Sequence, residues 1–509
     1  MMILIYIAAA VVLLGLCIFV HELGHLLGGK MVGIKARVFS MGYGKGFIKK
    51  QIGDTTYQVT LIPFGGYCQF YGENPSEERA GEGYEFLSAA PWRRIVTVFM
   101  GPFFNLIFGI ILFFIMNMAG YTKDTNRISI PDEYRSGKYI SPAYKAGMEN
   151  GDRIVAINGK TIRGFDDIQM RVLFSDGRAL NVKYERDGSA RSVEVVPELL
   201  QGGRYAMGVL PYGKRLMMGG LVHGEAAESA GIDEYDEILS LDSVQVTTSD
   251  EFTSYIRSRA GQPVAIKILR GKKEMEFHVT PRENTFITMD GKQLFDSTLL
   301  DKLAQDGSLS MDGKTVFSAR DFMLAAAANK DKVVTLEQKD YSVKGKIGIE
   351  TRGFIGAYLV TAPESVDVRF GLVDGIAQAV TEPFDFIVMN LKGIGMLFSG
   401  EMDVRENLSG PIRIAQIAGD VAYYKGISAF ILLMAKISII LMVMNLLPIP
   451  AVDGSHIIFY TIEAVRGKPL SQKVMERIQT AGIMILLILG AFVIINDIST
   501  LPVIQRLFN

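Results

Sequence analysis

The chain has 509 residues, 49 % of them hydrophobic, and its Lys+Arg 53 against Asp+Glu 54 leave it almost uncharged overall. That balance excludes a global attraction to nucleic acid, and two cysteines, Cys17 and Cys68, exclude a disulfide framework and a Cys-based zinc site. Apolar residues concentrate toward the two ends, which separates a membrane part from a soluble middle.

Residues 1–30 read as a first transmembrane helix: Ile3–Val20 is uncharged and runs on into His21-Glu22-Leu23-Gly24-His25. Neither a basic n-region nor a small-residue cleavage pattern precedes His21, so the helix is retained rather than removed as a signal peptide. Residues 31–92 read as a cytoplasmic, membrane-associated β region. The alternation in Val38–Met41 and Tyr57–Leu61 predicts strand pairs joined by glycine-rich turns, with a plain cytoplasmic hairpin as the simpler form. Residues 93–120 are the second transmembrane helix, uncharged from Ile95 to Gly120.

The soluble middle repeats itself. Asp152–Lys160, Asp236–Val244 and Asp306–Lys314 align, each followed by a helical stretch (Phe165–Ser175, Ser249–Arg259, Ala319–Ala328) and a β-rich run (Ala179–Tyr184, Val264–Leu269, Val333–Glu337). This order predicts tandem PDZ-like α+β domains at 125–200 and 205–285, with a third PDZ-like unit at 286–362. Such domains either take extended peptides by edge-strand pairing or serve as bulky spacers. Residues 363–426 form an amphipathic linker. Within it Phe370–Ser399 carries Asp374, Glu382, Pro383, Asp385 and Lys392, which suits a helix lying along the bilayer surface better than one crossing it. Residues 427–509 hold spans three and four: Ile427–Leu447, apolar apart from Lys436, and Thr480–Asn496, closed by Asp497. A lysine inside a span needs a polar cavity or a partner. The expected fold is thus a multi-pass α-helical membrane protein of about four spans, with a β-hairpin region at the membrane and tandem PDZ-like domains.

Basic residues orient it. Lys30, Lys35, Arg37, Lys45, Lys49 and Lys50 follow the first span, Arg93 and Arg94 precede the second, and Arg466, Lys468, Lys473 and Arg477 lie between the last two. The positive-inside rule puts all three groups in the cytoplasm, with the N-terminus and residues 121–426 outside.

His21-Glu22-Leu23-Gly24-His25 is an HExxH sequence at the inner end of the first span. Helical i, i+4 spacing stacks the two imidazoles on one face, where both reach one tetrahedral zinc ion, and Glu22 stands one position round the turn as general base. A third ligand must lie near the cytoplasmic end of another span, so topology excludes His223 and His278. At the inner end of span three stands Asn445-Leu446-Leu447-Pro448-Ile449-Pro450-Ala451-Val452-Asp453-Gly454. Its prolines stop the helix and Gly454 permits a tight turn, so Asp453 is the expected ligand and His456 its rival.

These residues resemble the site-2 protease family of intramembrane zinc metalloproteases, and within it the RseP-type bacterial members with periplasmic PDZ domains. HELGH, the IPFGGY stretch Ile62–Tyr67, Gly101–Asn105, LSGPI at Leu408–Ile412 and the Asp453-Gly454 motif occur in the family's order. The resemblance implies one catalytic zinc on His21, His25 and Asp453, and Glu22 as base. It implies that Asn445 helps hold the substrate strand and that the sheet carrying Gly65 and Gly66 takes the substrate as an added strand. Gly101 and Asn105 either belong to this machinery or only pack and bond between helices. Ser455 departs from the family, which commonly has a second glycine there. The implied protein sits in the bacterial inner membrane. Its implied partners are single-span proteins such as anti-sigma factors, with remnant signal peptides as an alternative substrate, and peptide ligands of the PDZ domains. A non-catalytic PDZ scaffold is the reading from another class.

Overall fold

The computed structural model describes residues 2–74, 80–131, 133–136, 139–200, 203–213, 215–271, 273–290, 292–293, 309–316, 318–338, 341–400 and 410–499. Asp306–Ser308 of the third repeat and Leu408–Ser409 of LSGPI lie outside these residues. The chain divides into two compact units, Met1–Pro211 with Ser365–Asn509, and Tyr212–Glu364.

In the first unit, four helices are long and apolar enough to cross a membrane: Leu4–Met31, Pro91–Ala119, Pro411–Leu446 and Lys473–Ser499. The first two belong to α1 (Met2–Met31) and α2 (Pro91–Ala119). They pack so closely that a Cβ on Gly24 of α1 would stand 2.2 Å from the Met100 carbonyl oxygen of α2. Between them, β1 (Ala36–Ile52) and β2 (Thr55–Phe70) are long enough to bend back on each other. Val38–Met41 pairs on one side with Thr56–Val59 and on the other with Gly66–Gln69, while Ile48–Ile52 pairs with Thr55–Val59. Two strands therefore build a four-run mixed sheet, with Val38–Met41 parallel to Thr56–Val59 and antiparallel to Gly66–Gln69; it has two runs more than a plain hairpin, and Gly66–Phe70 is an outer run. Cys17 is buried and Cys68 half-buried, both free.

The first α/β element follows α2. Strands Arg153–Ile157, Leu180–Arg186 and Ser189–Val195 form one sheet, and α3 (Phe165–Leu173) packs its Phe165, Ile168 and Val172 into the core. In the second unit the same order recurs as Glu237–Leu241, α4 (Ser249–Ser258), Val264–Arg270 and Lys273–Val279. It recurs again as Leu309–Met311, α5 (Ala319–Ala328), Val333–Gln338 and Tyr341–Phe354. One turn is reproduced three times: Asn158, Asp242 and Asp312 adopt left-handed φ of 49°, 44° and 47°. Their side-chain oxygens accept from the backbone N–H of Asn181, Ala265 and Thr335 at 2.8, 2.8 and 2.7 Å. These Asx residues tolerate the left-handed region and satisfy the neighbouring strand at the same time.

Strand pairing divides the region differently from the sequence boundaries 125–200, 205–285 and 286–362. Leu210–Pro211 pairs with Ile128–Ser129, so the first element extends to Pro211. Ala357–Ala362 pairs with Arg215–Leu221, so the last strand of the third segment completes the sheet of the second. The third element is thus inserted between two strands of its predecessor, a long-range pairing that local periodicity does not carry.

Back in the first unit, α6 (Leu372–Ser399) is one continuous 28-residue helix despite Pro383, and it packs on α2 and the third span through Ala379, Phe386 and Ile387. The charge of Lys436, the lysine of span three, acts electrostatically on Glu382 of α6. The helical stretch of span three begins earlier than Ile427. It starts as α7 (Pro411–Asp420), passes a π-helical turn, and is broken by Gly426 at φ 80° before α8 (Gly426–Leu446). A short loop leads to α9 (Asp453–Arg466), and α10 (Gln472–Ser499) is the fourth span.

Candidate metal centre

The HELGH sequence stays helical within α1, and its i, i+4 spacing places the two imidazoles together. Their rings are 4.6 Å apart and nearly perpendicular, with the Nε2 atoms 3.0 Å apart. By helical rise His25 lies roughly 9 Å from the C-terminal end of α1. Asp453 comes from the other end of the chain. α8 stops at Leu446 because Pro448 and Pro450 cannot extend it, and Ala451 turns the backbone with φ 78°, a conformation costly for a residue with a Cβ. Gly454 lets the start of α9 approach the end of α8: a Cβ there would lie 2.2 Å from the Leu447 carbonyl oxygen. Asp453 Oδ2 then stands 3.1 Å from His21 Nε2 and 3.6 Å from His25 Nε2.

This triangle fits a metal. Ligand atoms about 2.0–2.1 Å from a tetrahedral zinc are roughly 3.3 Å from one another. The proton positions point the same way. His25 Nδ1 is 3.0 Å from the Thr97 carbonyl oxygen, which can only accept, so Nδ1 carries the proton and Nε2 presents its lone pair. The Asn105 amide nitrogen lies 3.3 Å from His21 Nδ1 while its buried Oδ1 has no partner; turned over, the amide offers Oδ1 to an Nδ1–H. Asp453 Oδ2 is likewise buried with no hydrogen-bond partner. Lone pairs this close repel one another unless a cation lies between them. His21, His25 and Asp453 are the one grouping of at least three such side chains, among the described residues, that could hold a metal ion.

The remaining sequence-derived residues fall around this centre. Gly66 stands beside Glu22: a Cβ on it would come 3.3 Å from Glu22 Cγ, so the outer run of the sheet passes the carboxylate. Gly65 has φ 119° and lies under the Tyr43 ring. Asn445 is in the last turn of α8, half-buried. His456, the rival ligand, is outside the triangle, its ring 6.1 Å from Tyr460 and 6.3 Å from Phe459. Ser455 is buried and donates to the Val452 carbonyl at 2.8 Å, which accommodates the departure from glycine. Thr97, Gly101 and Asn105 all touch the imidazoles from α2. Their four-residue spacing was visible in the sequence, but a threonine carbonyl and a glycine carry no chemical signature.

The sequence model of peptidase family M50 matches residues 9–489. The chain belongs to peptidase family M50. As an M50 member it is similar over nearly its whole length to the regulator of sigma-E protease RseP of Salmonella typhimurium, 25 % identical across 97 % of this chain and 98 % of that protein. It is also similar to the protease RseP of Yersinia pestis, 25 % identical across 98 % of this chain and 100 % of that protein. A Neisseria meningitidis protein carrying a zinc metalloprotease name is 25 % identical across 94 % of this chain and 96 % of its own length.

Proposed function

We propose that this M50 peptidase is a zinc metalloprotease that hydrolyses peptide bonds within transmembrane segments of single-span proteins in the bacterial inner membrane. Metalloprotease activity and zinc follow from the family and from the names of the relatives. The observation that carries the rest is the meeting of His21, His25 and Asp453 within a bundle of membrane-length helices, beside an outer β run. In this reading zinc supplies Lewis acidity toward a peptide carbonyl and a water molecule. Glu22 takes the proton of the attacking water and delivers it to the departing amide nitrogen. Thr97 and Asn105 hold the imidazoles in the protonation state that binds metal. The substrate lies extended against Gly65–Gly66, because a peptide bond inside a helix is shielded from attack, and Asn445 steadies the same strand.

The N-terminus and the PDZ-like elements lie in the periplasm, where those elements bind extended peptides or exclude intact ectodomains. The favoured substrate is an anti-sigma factor already shortened by an outside protease; remnant signal peptides are the second reading. The test is cleavage of single-span substrates by protein in detergent, with and without chelator. Glu22→Gln should abolish cleavage and keep zinc, and Asp453→Ala should lose both. Full turnover by either variant overturns the assignment, and a protein without metal or turnover would leave the non-catalytic scaffold instead.

A further inference from the structure

Arg94 counts in the sequence as one of the cytoplasmic basic residues, yet its side chain is only 5 % exposed and meets Glu463, 15 % exposed, from the far end of the chain. The contact is a fork: Nη1 donates to Oε2 at 3.0 Å and Nη2 to Oε1 at 2.6 Å, while Nε donates to the Ala89 carbonyl at 3.0 Å. The guanidinium also lies 4.7 Å over the ring of Tyr460, which is buried against Phe86. All of the geometric preferences of arginine are used here, and a lysine could reproduce none but the charge.

The two partners sit on the faces that build the metal centre. On α2, Arg94, Thr97, Gly101 and Asn105 follow one another at intervals of three, four and four, so they share one stripe. Thr97 and Asn105 meet the two imidazoles, and Gly101 makes room for the His25 ring. On α9, Asp453, Tyr460 and Glu463 are spaced by seven and three and likewise share a stripe. One face of α2 therefore holds both histidines and, through Arg94, the helix that starts at Asp453. The ligand and Glu463 are ten residues apart, roughly 15 Å along a rigid rod, so a shift at one end is felt at the other. Metal coordination tolerates only about 0.2 Å.

We propose that Arg94 and Glu463 are positioning residues that set Asp453 against the two imidazoles, a role that rests on the metal-site reading above. The experiment compares Glu463→Gln, Arg94→Gln, Arg94→Lys, the exchanged pair Arg94→Glu/Glu463→Arg, and Asp453→Ala in the full-length protein in detergent. Three quantities are read: the zinc dissociation constant by chelator competition, the visible spectrum of the cobalt-loaded protein, and the melting temperature of the metal-free protein. Both glutamine variants should bind zinc about 10- to 100-fold more weakly with an altered cobalt spectrum, the range expected when an outer partner of a ligand is lost. Arg94→Lys, which keeps the charge and folds most readily, should show the same change in smaller measure, and the exchanged pair should recover part of the affinity. If Asp453→Ala loses zinc but the Arg94 and Glu463 variants keep wild-type affinity and spectrum while melting lower, the pair only stabilises the fold and the proposal falls. If Asp453→Ala binds zinc as the wild type does, the underlying site reading falls instead.

Discussion

Replacing Gly101 by alanine should dismantle the metal centre without unfolding the protein. A Cβ at this position would stand 2.4 Å from His25 Cε1 and Nε2, whereas ordinary contact begins near 3.4 Å, so the ring must retreat by about 1 Å. That is several times the roughly 0.2 Å that a metal–ligand bond tolerates, and it also breaks the 3.0 Å contact between His25 Nδ1 and Thr97. One of three ligands is then lost. Zinc affinity should fall by at least about 100-fold, beyond the loss of a mere outer partner. Helix formation is not the confounder, since glycine to alanine within a helix favours the helix by about 1 kcal/mol. Zinc content after dialysis and chelator competition measure the effect, with circular dichroism as the check on folding. Gly109→Ala on the same helix is the control: its Cβ meets Ile439 Cδ1 at 2.5 Å and Cγ1 at 2.9 Å and the Ala435 carbonyl oxygen at 3.3 Å, about two helical turns along α2 from Gly101, and should leave zinc binding intact. Wild-type zinc affinity in Gly101→Ala would refute the placement of His25.

Other outcomes follow from features outside the centre. Arg186→Met should open the first α/β element, because Asp152, 1 % exposed, would lose a fork with donors at 2.7 and 2.8 Å and remain as a buried carboxylate without its counter-charge, keeping the Glu149 N–H at 2.9 Å. Breaking such a pair costs about 3–5 kcal/mol, so hydrogen exchange in Arg153–Ile157 should quicken by two orders of magnitude or more. Arg270→Met should do the same to the second element, where Asp236 is held at 2.8 and 2.7 Å; unchanged exchange in both variants would show that these pairs contribute little. Asp497→Ala should fray α7 by about 1–2 kcal/mol, since this aspartate of α10 accepts from the Gly410 and Arg413 N–H groups at 3.0 and 3.1 Å and caps α7 in place of a local side chain; exchange at Ile414 reads it. Chelation should abolish cleavage and added zinc should restore it, while a chelator-resistant activity would sink the zinc mechanism.

The spans were legible because an uncharged run of membrane length has few other uses, and HELGH was legible because i, i+4 spacing in a helix fixes geometry before any tertiary contact. Asp453 could be found because two prolines and a glycine announce where span three stops. Arg94 shows where such reading fails: charge counting treats it as a topological marker, while the fold buries it against a residue near the opposite end of the chain. The bends that turn β1 and β2 into four runs, and the strand that crosses from the third repeated segment into the sheet of the second, are long-range pairings with no local periodicity.

That crossing strand bears on biosynthesis. Arg215–Leu221 gains its partner Ala357–Ala362 only after the whole inserted element has been made. At ribosomal speeds of about 5–20 residues per second, the nearly 80 residues between Val279 and Ala357 take on the order of 4–16 s. Through that interval the nascent chain carries an unsealed sheet margin ready to join foreign strands, so chaperoning of this protein must shelter its middle before its active centre can assemble.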